Sequence, residues 1–170
     1  MNQPAHAFPW REEERFIGTG EPILRPTLIV RLSAGTYTTQ WKALIDSGSP
    51  RTIFPRGTGD FLSVKFPDNP RDADKRISLF GQQWSAVSAT VQLELPPFED
   101  LGWEAEVDFL LDDGIPFGLL GYEGFLNRWA VSMNGYHGYF VVDAVDHYHE
   151  RQDPALLDRL NREWPGLVDP

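Results

Sequence analysis

The run Ala43-Leu44-Ile45-Asp46-Ser47-Gly48-Ser49 places one acid at the end of an apolar stretch and follows it at once with three small residues. A short, charge-free apolar run reads as the end of a buried strand. A carboxylate at such a point should meet little water, so its ionisation is costly and its proton is available for acid-base chemistry. Gly48 either admits a second backbone at close range or takes a positive φ. The same letters also spell an ordinary turn, in which an Asp side chain bonds its own backbone and Gly supplies the unusual dihedral. Residue types alone leave both readings open.

Other chemistries have less to work with. The chain has no cysteine, so neither a disulfide framework nor a thiolate metal site can form. Among the four histidines, His147 and His149 make one close pair, which a solvated loop explains as well as a metal site does. No metal and no cofactor is therefore expected. An excess of 25 acidic over 15 basic residues, a formal charge of −10, makes nucleic acid and anionic membranes unfavourable partners.

The elements that must position Asp46 can be read from the hydrophobic pattern. Thr27 to Leu32 and Gln40 to Ile45 flank a small, turn-like stretch, predicting a hairpin whose second strand delivers Asp46. Thr52 to Pro55 resumes a strand, and residues 56 to 75, rich in Gly, Pro, Asp and Arg, read as a loop with room for one helical turn. Ile77 to Leu95 alternates around a polar centre, Phe80-Gly81-Gln82-Gln83, and predicts a second hairpin. Pro96 to Gly102 reads as a turn. Trp103 to Leu111 then alternates as a half-buried strand, with Trp103, Ala105, Val107 and Phe109 inward and Glu104, Glu106 and Asp108 toward water.

Phe117 to Leu120 is predicted as a short buried strand, Gly121 to Arg128 as one or two helical turns, and residues 129 to 143 as a hairpin around Asn134-Gly135. Near the C-terminus Asp153 can cap a helix with Pro154 at its first position, and Leu156, Leu157, Leu160 and Trp164 share one face. At the other end, Pro4, Pro9 and Pro22 predict an arm or a peripheral strand. The expectation is one mostly β domain: an arm over 1–24, the body over 25–146 and a helical tail over 147–170.

Two segments taken together, Lys42 to Pro55 (KALIDSGSPRTIFP) and Phe117 to Leu126 (FGLLGYEGFL), resemble the signature of the retropepsin-like aspartic proteases, in a single-lobe, bacterial-type form. That family carries a hydrophobic-hydrophobic-Asp-Thr/Ser-Gly-Ala/Ser turn and, later, a hydrophobic-hydrophobic-Gly that crosses behind it. The resemblance spans roughly Arg25 to Asp143. It implies a closed, acid-protease-like β-barrel with a flap hairpin, a short helix after Leu119-Leu120-Gly121, and aspartic endopeptidase activity on a protein or peptide substrate.

By this resemblance Asp46 is the shared acid and base, Ser47 hydrogen-bonds across a dimer, Gly48 permits close approach, and Ser49 keeps the site open. Leu119, Leu120 and Gly121 pack behind the turn. Phe80, Gly81 and Trp84 are placed at the flap by their order along the chain. Such hydrolysis needs two carboxylates that share one proton. Leu110-Leu111-Asp112-Asp113-Gly114 repeats the spelling, but Gly121 follows too soon for a second lobe, whereas Asp46 precedes Gly121 by 75 positions. The resemblance therefore implies a homodimer with one Asp46 per subunit at a two-fold axis.

The departures from the pattern carry an expectation too. The familiar motif has acidic residues after its turn and a basic one after its later Gly; here Pro50-Arg51 and Tyr122-Glu123 stand there, with the signs exchanged. Arg51 and Glu123 should then meet as a salt bridge, although two unrelated surface charges fit the same letters equally well. Two other functions compete with the peptidase: a non-catalytic protein-binding or dimerisation module of the same fold, and an actin-like ATPase, for which the chain is too short. The N-terminal residues lack a basic start and apolar core, and no apolar run is long enough to cross a membrane, so a soluble, cytoplasmic protein is expected.

Overall fold

The computed structural model of the chain describes residues 6–13, 23–145 and 162. The strands are β1 (His6–Pro9), β2 (Arg11–Glu13), β3 (Ile23–Arg25), β4 (Thr27–Ala34), β5 (Tyr37–Ile45), β6 (Ile53–Phe54), β7 (Lys75–Leu79), β8 (Gln82–Leu95), β9 (Phe98–Leu110), β10 (Gly118–Leu120), β11 (Trp129–Asn134) and β12 (Tyr139–Ala144). Among the described residues, helix α1 (Arg56–Phe61) and the 3-10 turn Pro70–Asp72 interrupt them.

Six strands close on themselves in the order β4-β5-β10-β6-β9-β8, because β8 pairs with β9 and, through Glu94, Leu93 and Gln92, with β4. The first half of β8 instead pairs with β7, which projects from the barrel as a hairpin. The expected mostly β closed barrel is thus the fold observed. Its interior is built from alternate residues: Val30 and Leu32 of β4, Ala43 and Ile45 of β5, Val91 and Leu93 of β8, and Val107 and Phe109 of β9 are all buried. A second apolar cluster lies outside that wall. It packs Ile77, Leu79, Trp84 and Ala86 of the β7–β8 hairpin against Leu44, Ile53, Leu110 and Leu119.

The connection that matters for the site is the one around β10. This strand runs parallel to β5, with Leu119 opposite Leu44 and Leu120 opposite Ile45, and antiparallel to β6, with Leu119 opposite Ile53. Although consecutive in sequence, β5 and β6 are therefore held apart by β10, and the chain from Asp46 to Thr52 must arch over its end. Leu119 and Leu120 are buried on either side of the sheet, as a strand covered on both faces requires.

Elsewhere the structure modifies the expected elements. The first hairpin turns on Gly35-Thr36 alone, and the later one turns over Gly135 to Gly138, with Asn134 as the last strand residue accepting from the His137 amide. Phe98 to Gly102, expected within a turn, belongs to β9. Residues 121–128 form hydrogen-bonded turns instead of the expected helix. Leu126 and Asn127 donate to carbonyls five residues back, and Gly124 at φ +91° lies outside helical dihedrals. β1 pairs with β12, so this part of the expected N-terminal arm is a peripheral strand. The expected C-terminal helix, and the His147–His149 pair with it, lies outside the described residues.

Candidate active site

Asp46 sits where β5 ends. Its amide donates to the Leu120 carbonyl (3.1 Å), its carbonyl accepts from the Ser49 amide (3.1 Å), and its Oδ1 accepts from the Gly48 amide (2.9 Å). The side chain is half-buried, while Ser47 and Gly48 are exposed. The expectation that Asp46 meets little water is therefore corrected for the single chain. A turn that arches outward past the end of β10 leaves solvent on its outer side.

Gly48 is corrected likewise. It is not among the glycines with positive φ, and a Cβ there would meet only the Asp46 Oδ1, at 3.2 Å. The close approach occurs at Gly121, where a Cβ would lie 2.3 Å from the Arg51 carbonyl oxygen and 2.6 Å from that of Ser49. Only glycine lets β10 end directly under the arch. Ser49 is buried and donates its hydroxyl to the Arg51 carbonyl (2.7 Å), so it ties the arch to itself and does not line an open space.

A backbone ladder fastens the arch to the chain leaving β10. Tyr122 N donates to Ser49 O (2.9 Å), Glu123 N to Pro50 O (3.0 Å), and Thr52 N to Glu123 O (2.9 Å). Thr52 is fully buried, and its hydroxyl accepts from the Gly121 amide (3.3 Å). The segments from Phe117 and from Lys42 are thus brought together, with Leu119-Leu120-Gly121 behind the turn.

Arg51 and Glu123 meet as expected, through Nη1 and Oε2. They are not an isolated pair. Arg51 also grips Asp108 at two points, Nε to Oδ2 (2.5 Å) and Nη2 to Oδ1 (3.1 Å), and reaches Glu106 Oε1 (2.8 Å). Lys75 Nζ donates to Asp108 (3.1 Å) and Glu106 (3.2 Å), and Ser88 Oγ donates to Asp108 (2.7 Å). The hydrogen bond to Asp108, before all other causes, pushes the Arg51 guanidinium above its already high pKa, against the opposing effect of burial. Hydrogen bonds from Arg51 and then Lys75 hold the Glu106 carboxyl below its ordinary value.

Asp108 is the residue that sequence reasoning misplaced. Alternation assigned it to water with Glu104 and Glu106, yet it is 0 % exposed. Alternation gave its face correctly; what covers that face was not visible. Along the outer side of β9, Glu106 is exposed, Asp108 is capped by Arg51 and Lys75, and Leu110 enters the second apolar cluster. No sequence signal marks that cover, because Arg51 and Lys75 lie 57 and 33 positions away.

At the hairpin tip, Phe80 (φ +52°) and Gly81 (φ +77°) form the turn between β7 and β8, and both are exposed. Trp84 is a different kind of residue. Its ring packs so closely on Gly114 that a Cβ there would fall 1.9 Å from it, making Trp84 a wedge in the second apolar cluster and not part of the tip. In the repeated spelling at 110–114, Asp112 is exposed, and Asp113 accepts from the Gly57 amide (2.7 Å) at the start of α1.

A cleft of about 910 Å³ opens beside the Arg51 cluster, lined in part by Trp103, Glu104, Glu106, Glu123 and Trp129; Asp46 does not line it. Among the described residues no group of three or more His, Asp or Glu side chains could hold a metal ion, and no helix is long and apolar enough to cross a membrane.

No protein-family model matches the chain, and no curated protein is similar enough to count as a relative. Among solved structures, a retropepsin-like aspartic protease from Rickettsia conorii aligns with 68 % of this chain and 88 % of its own, at 12 % identity and a TM-score of 0.47. The EIAV protease, solved with a bound inhibitor, aligns with 58 % of this chain and 82 % of its own, at 18 % identity and a TM-score of 0.42.

Proposed function

We propose that this chain is an aspartic endopeptidase of retropepsin type, working as a homodimer in which Asp46 of each subunit faces its counterpart. The observation that carries the proposal is the braced, outward-facing arch. Asp46 is fixed through its backbone to Leu120, has no ion pair among the described residues, and stands beside exposed Ser47 and Gly48 on an open surface. A half-site of this form becomes enclosed only when a second copy covers it.

Two such carboxylates about 3 Å apart would hold one proton between them, because both cannot ionise at that separation. The ionised partner takes a proton from a water as its oxygen attacks the peptide carbonyl carbon. The protonated partner gives its proton to the carbonyl oxygen. Collapse of the tetrahedral gem-diol breaks the C–N bond as the leaving nitrogen takes a proton from one carboxyl and a diol hydroxyl gives its proton to the other, leaving an acid, an amine and the dyad with its one shared proton. Phe80 and Gly81 at the hairpin tip would close over the bound peptide, which excludes water and strengthens the electrostatics inside.

Asp46→Asn keeps the shape and removes the titrating group. Cleavage of a peptide library should be abolished, and activity of the parent should fall on dilution as the dimer dissociates. Equal cleavage by the Asn variant, or full activity in a demonstrated monomer, overturns the proposal. One observation favours the alternative of a non-catalytic binding or dimerisation module: the bond from the Gly48 amide to Asp46 is the one an ordinary Asp turn makes. A dimer that cleaves nothing at any pH would establish that alternative.

A further inference from the structure

We propose that Asp108 is a positioning residue, whose buried carboxylate locks the base of the β7–β8 hairpin to the arch carrying Asp46 and so fixes the hairpin relative to the site. The inference rests on the peptidase reading for its kinetic consequences, though not for its structural one. Four hydrogen bonds converge on this one carboxylate. Oδ2 accepts from Arg51 Nε (2.5 Å), while Oδ1 accepts from Arg51 Nη2 (3.1 Å), Lys75 Nζ (3.1 Å) and Ser88 Oγ (2.7 Å). Arg51 belongs to the arch, Lys75 is the first residue of β7, and Ser88 lies on β8 directly across from Asp108.

The position of Asp108 makes the lock stiff. On one neighbouring strand it stands opposite Ser88, and on the other opposite Ile53, the first residue after the arch. The second apolar cluster joins the same two parts from below, through Ile77, Leu79 and Trp84 on the hairpin and Leu44, Ile53 and Leu119 around the arch. A charge buried at this point needs all its partners, and the partners have no equivalent acid to turn to, since Glu106 and Glu123 are more than half exposed. The hairpin base therefore cannot shift without disturbing Arg51, and Arg51 cannot shift without disturbing the backbone ladder beside Asp46.

The test is hydrogen exchange by mass spectrometry on the full chain, with steady-state kinetics on the same samples. In Asp108→Asn, exchange should quicken roughly tenfold in both the arch (46–52) and the hairpin (75–88). The diagnostic variant is Lys75→Met, which keeps the stem and removes the charge. Lys75 reaches the arch through the carboxylates of Asp108 and Glu106, so quickened exchange at 46–52 reports coupling that a local contact would not produce.

For peptide cleavage, Asp108→Asn should lower kcat on the order of 100-fold, as misplacement of a catalytic group does, whereas the loss in Lys75→Met should fall mainly on KM. Quickened exchange confined to β9 in Asp108→Asn, or to the hairpin in Lys75→Met, overturns the proposal. If Asp108→Asn does not fold, Lys75→Met and Ser88→Ala decide by the same criterion. If the parent cleaves no peptide, the peptidase reading fails alone, and the exchange data still judge the lock.

Discussion

Asp46 and Asp108 lie on opposite sides of β6, each near the end of a barrel strand, and the fold treats them oppositely. Asp108 is fully buried, gripped by an arginine at two points and joined by a lysine and a serine. Asp46 is half-buried and, among the described residues, is bonded at its side chain only by the Gly48 amide. Asp108, enclosed by its hydrogen-bond donors, ties neighbouring strands together. Asp46 has no ion pair among the described residues and keeps one side open to solvent.

The comparison breaks first on activity. Asp46→Asn should abolish cleavage while leaving stability within about 1 kcal/mol of the parent, since no network depends on its charge. Asp108→Asn should instead cost about 3 kcal/mol in urea unfolding, the scale of breaking a buried ion pair from one side. If the two variants show equal stability, the contrast between a working and a structural acid fails.

Two glycines sharpen it at the next scale. Gly121→Ala forces a Cβ against backbone oxygens of the arch and should destabilise by about 1 to 3 kcal/mol. Gly48→Ala meets only the end of the Asp46 side chain and should cost less than about 1 kcal/mol. Thermal unfolding of the pair checks both.

The exchanged charges come next. Glu123 is more than half exposed, so Glu123→Gln should cost only about 0 to 1 kcal/mol. Combining Arg51→Glu with Glu123→Arg should not restore stability, contrary to what an isolated pair would give, because Asp108 and Glu106 would then face a third acid at position 51. A double-mutant cycle that recovers most of the loss would show that Glu123, and not Asp108, is the main partner of Arg51.

The smallest effect is one of pH. The pKa of Glu106 is lowered in the folded chain below its ordinary 4.5, chiefly by the hydrogen bond from Arg51. Its contribution to stability is therefore complete above the ordinary value and disappears as the pH falls through the lower, folded value. The group is exposed, so solvent screening keeps the contribution small. Urea midpoints measured down through the carboxylate range should fall slightly less steeply for Glu106→Gln than for the parent.

What the sequence determined by itself is local or periodic. The apolar runs of β4 and β5 and the alternation through β8 and β9 announced strands, and the family resemblance implied their closure into a barrel. Ala43-Leu44-Ile45 announced a strand ending at Asp46, and Phe117 to Leu120 announced a short buried strand. Even the approach of Arg51 to Glu123 was legible once the two segments were placed side by side. Tertiary structure alone decided what lies against each face. It put the glycine that must stay bare at 121 and not 48, turned the Asp46 turn toward solvent, seated Trp84 on Gly114, and covered Asp108 on the outer side of β9. Periodicity fixes the direction of a side chain but not the cover it meets. That cover comes from Arg51 and Lys75, 57 and 33 positions away in sequence, and only the closed barrel brings them onto Asp108.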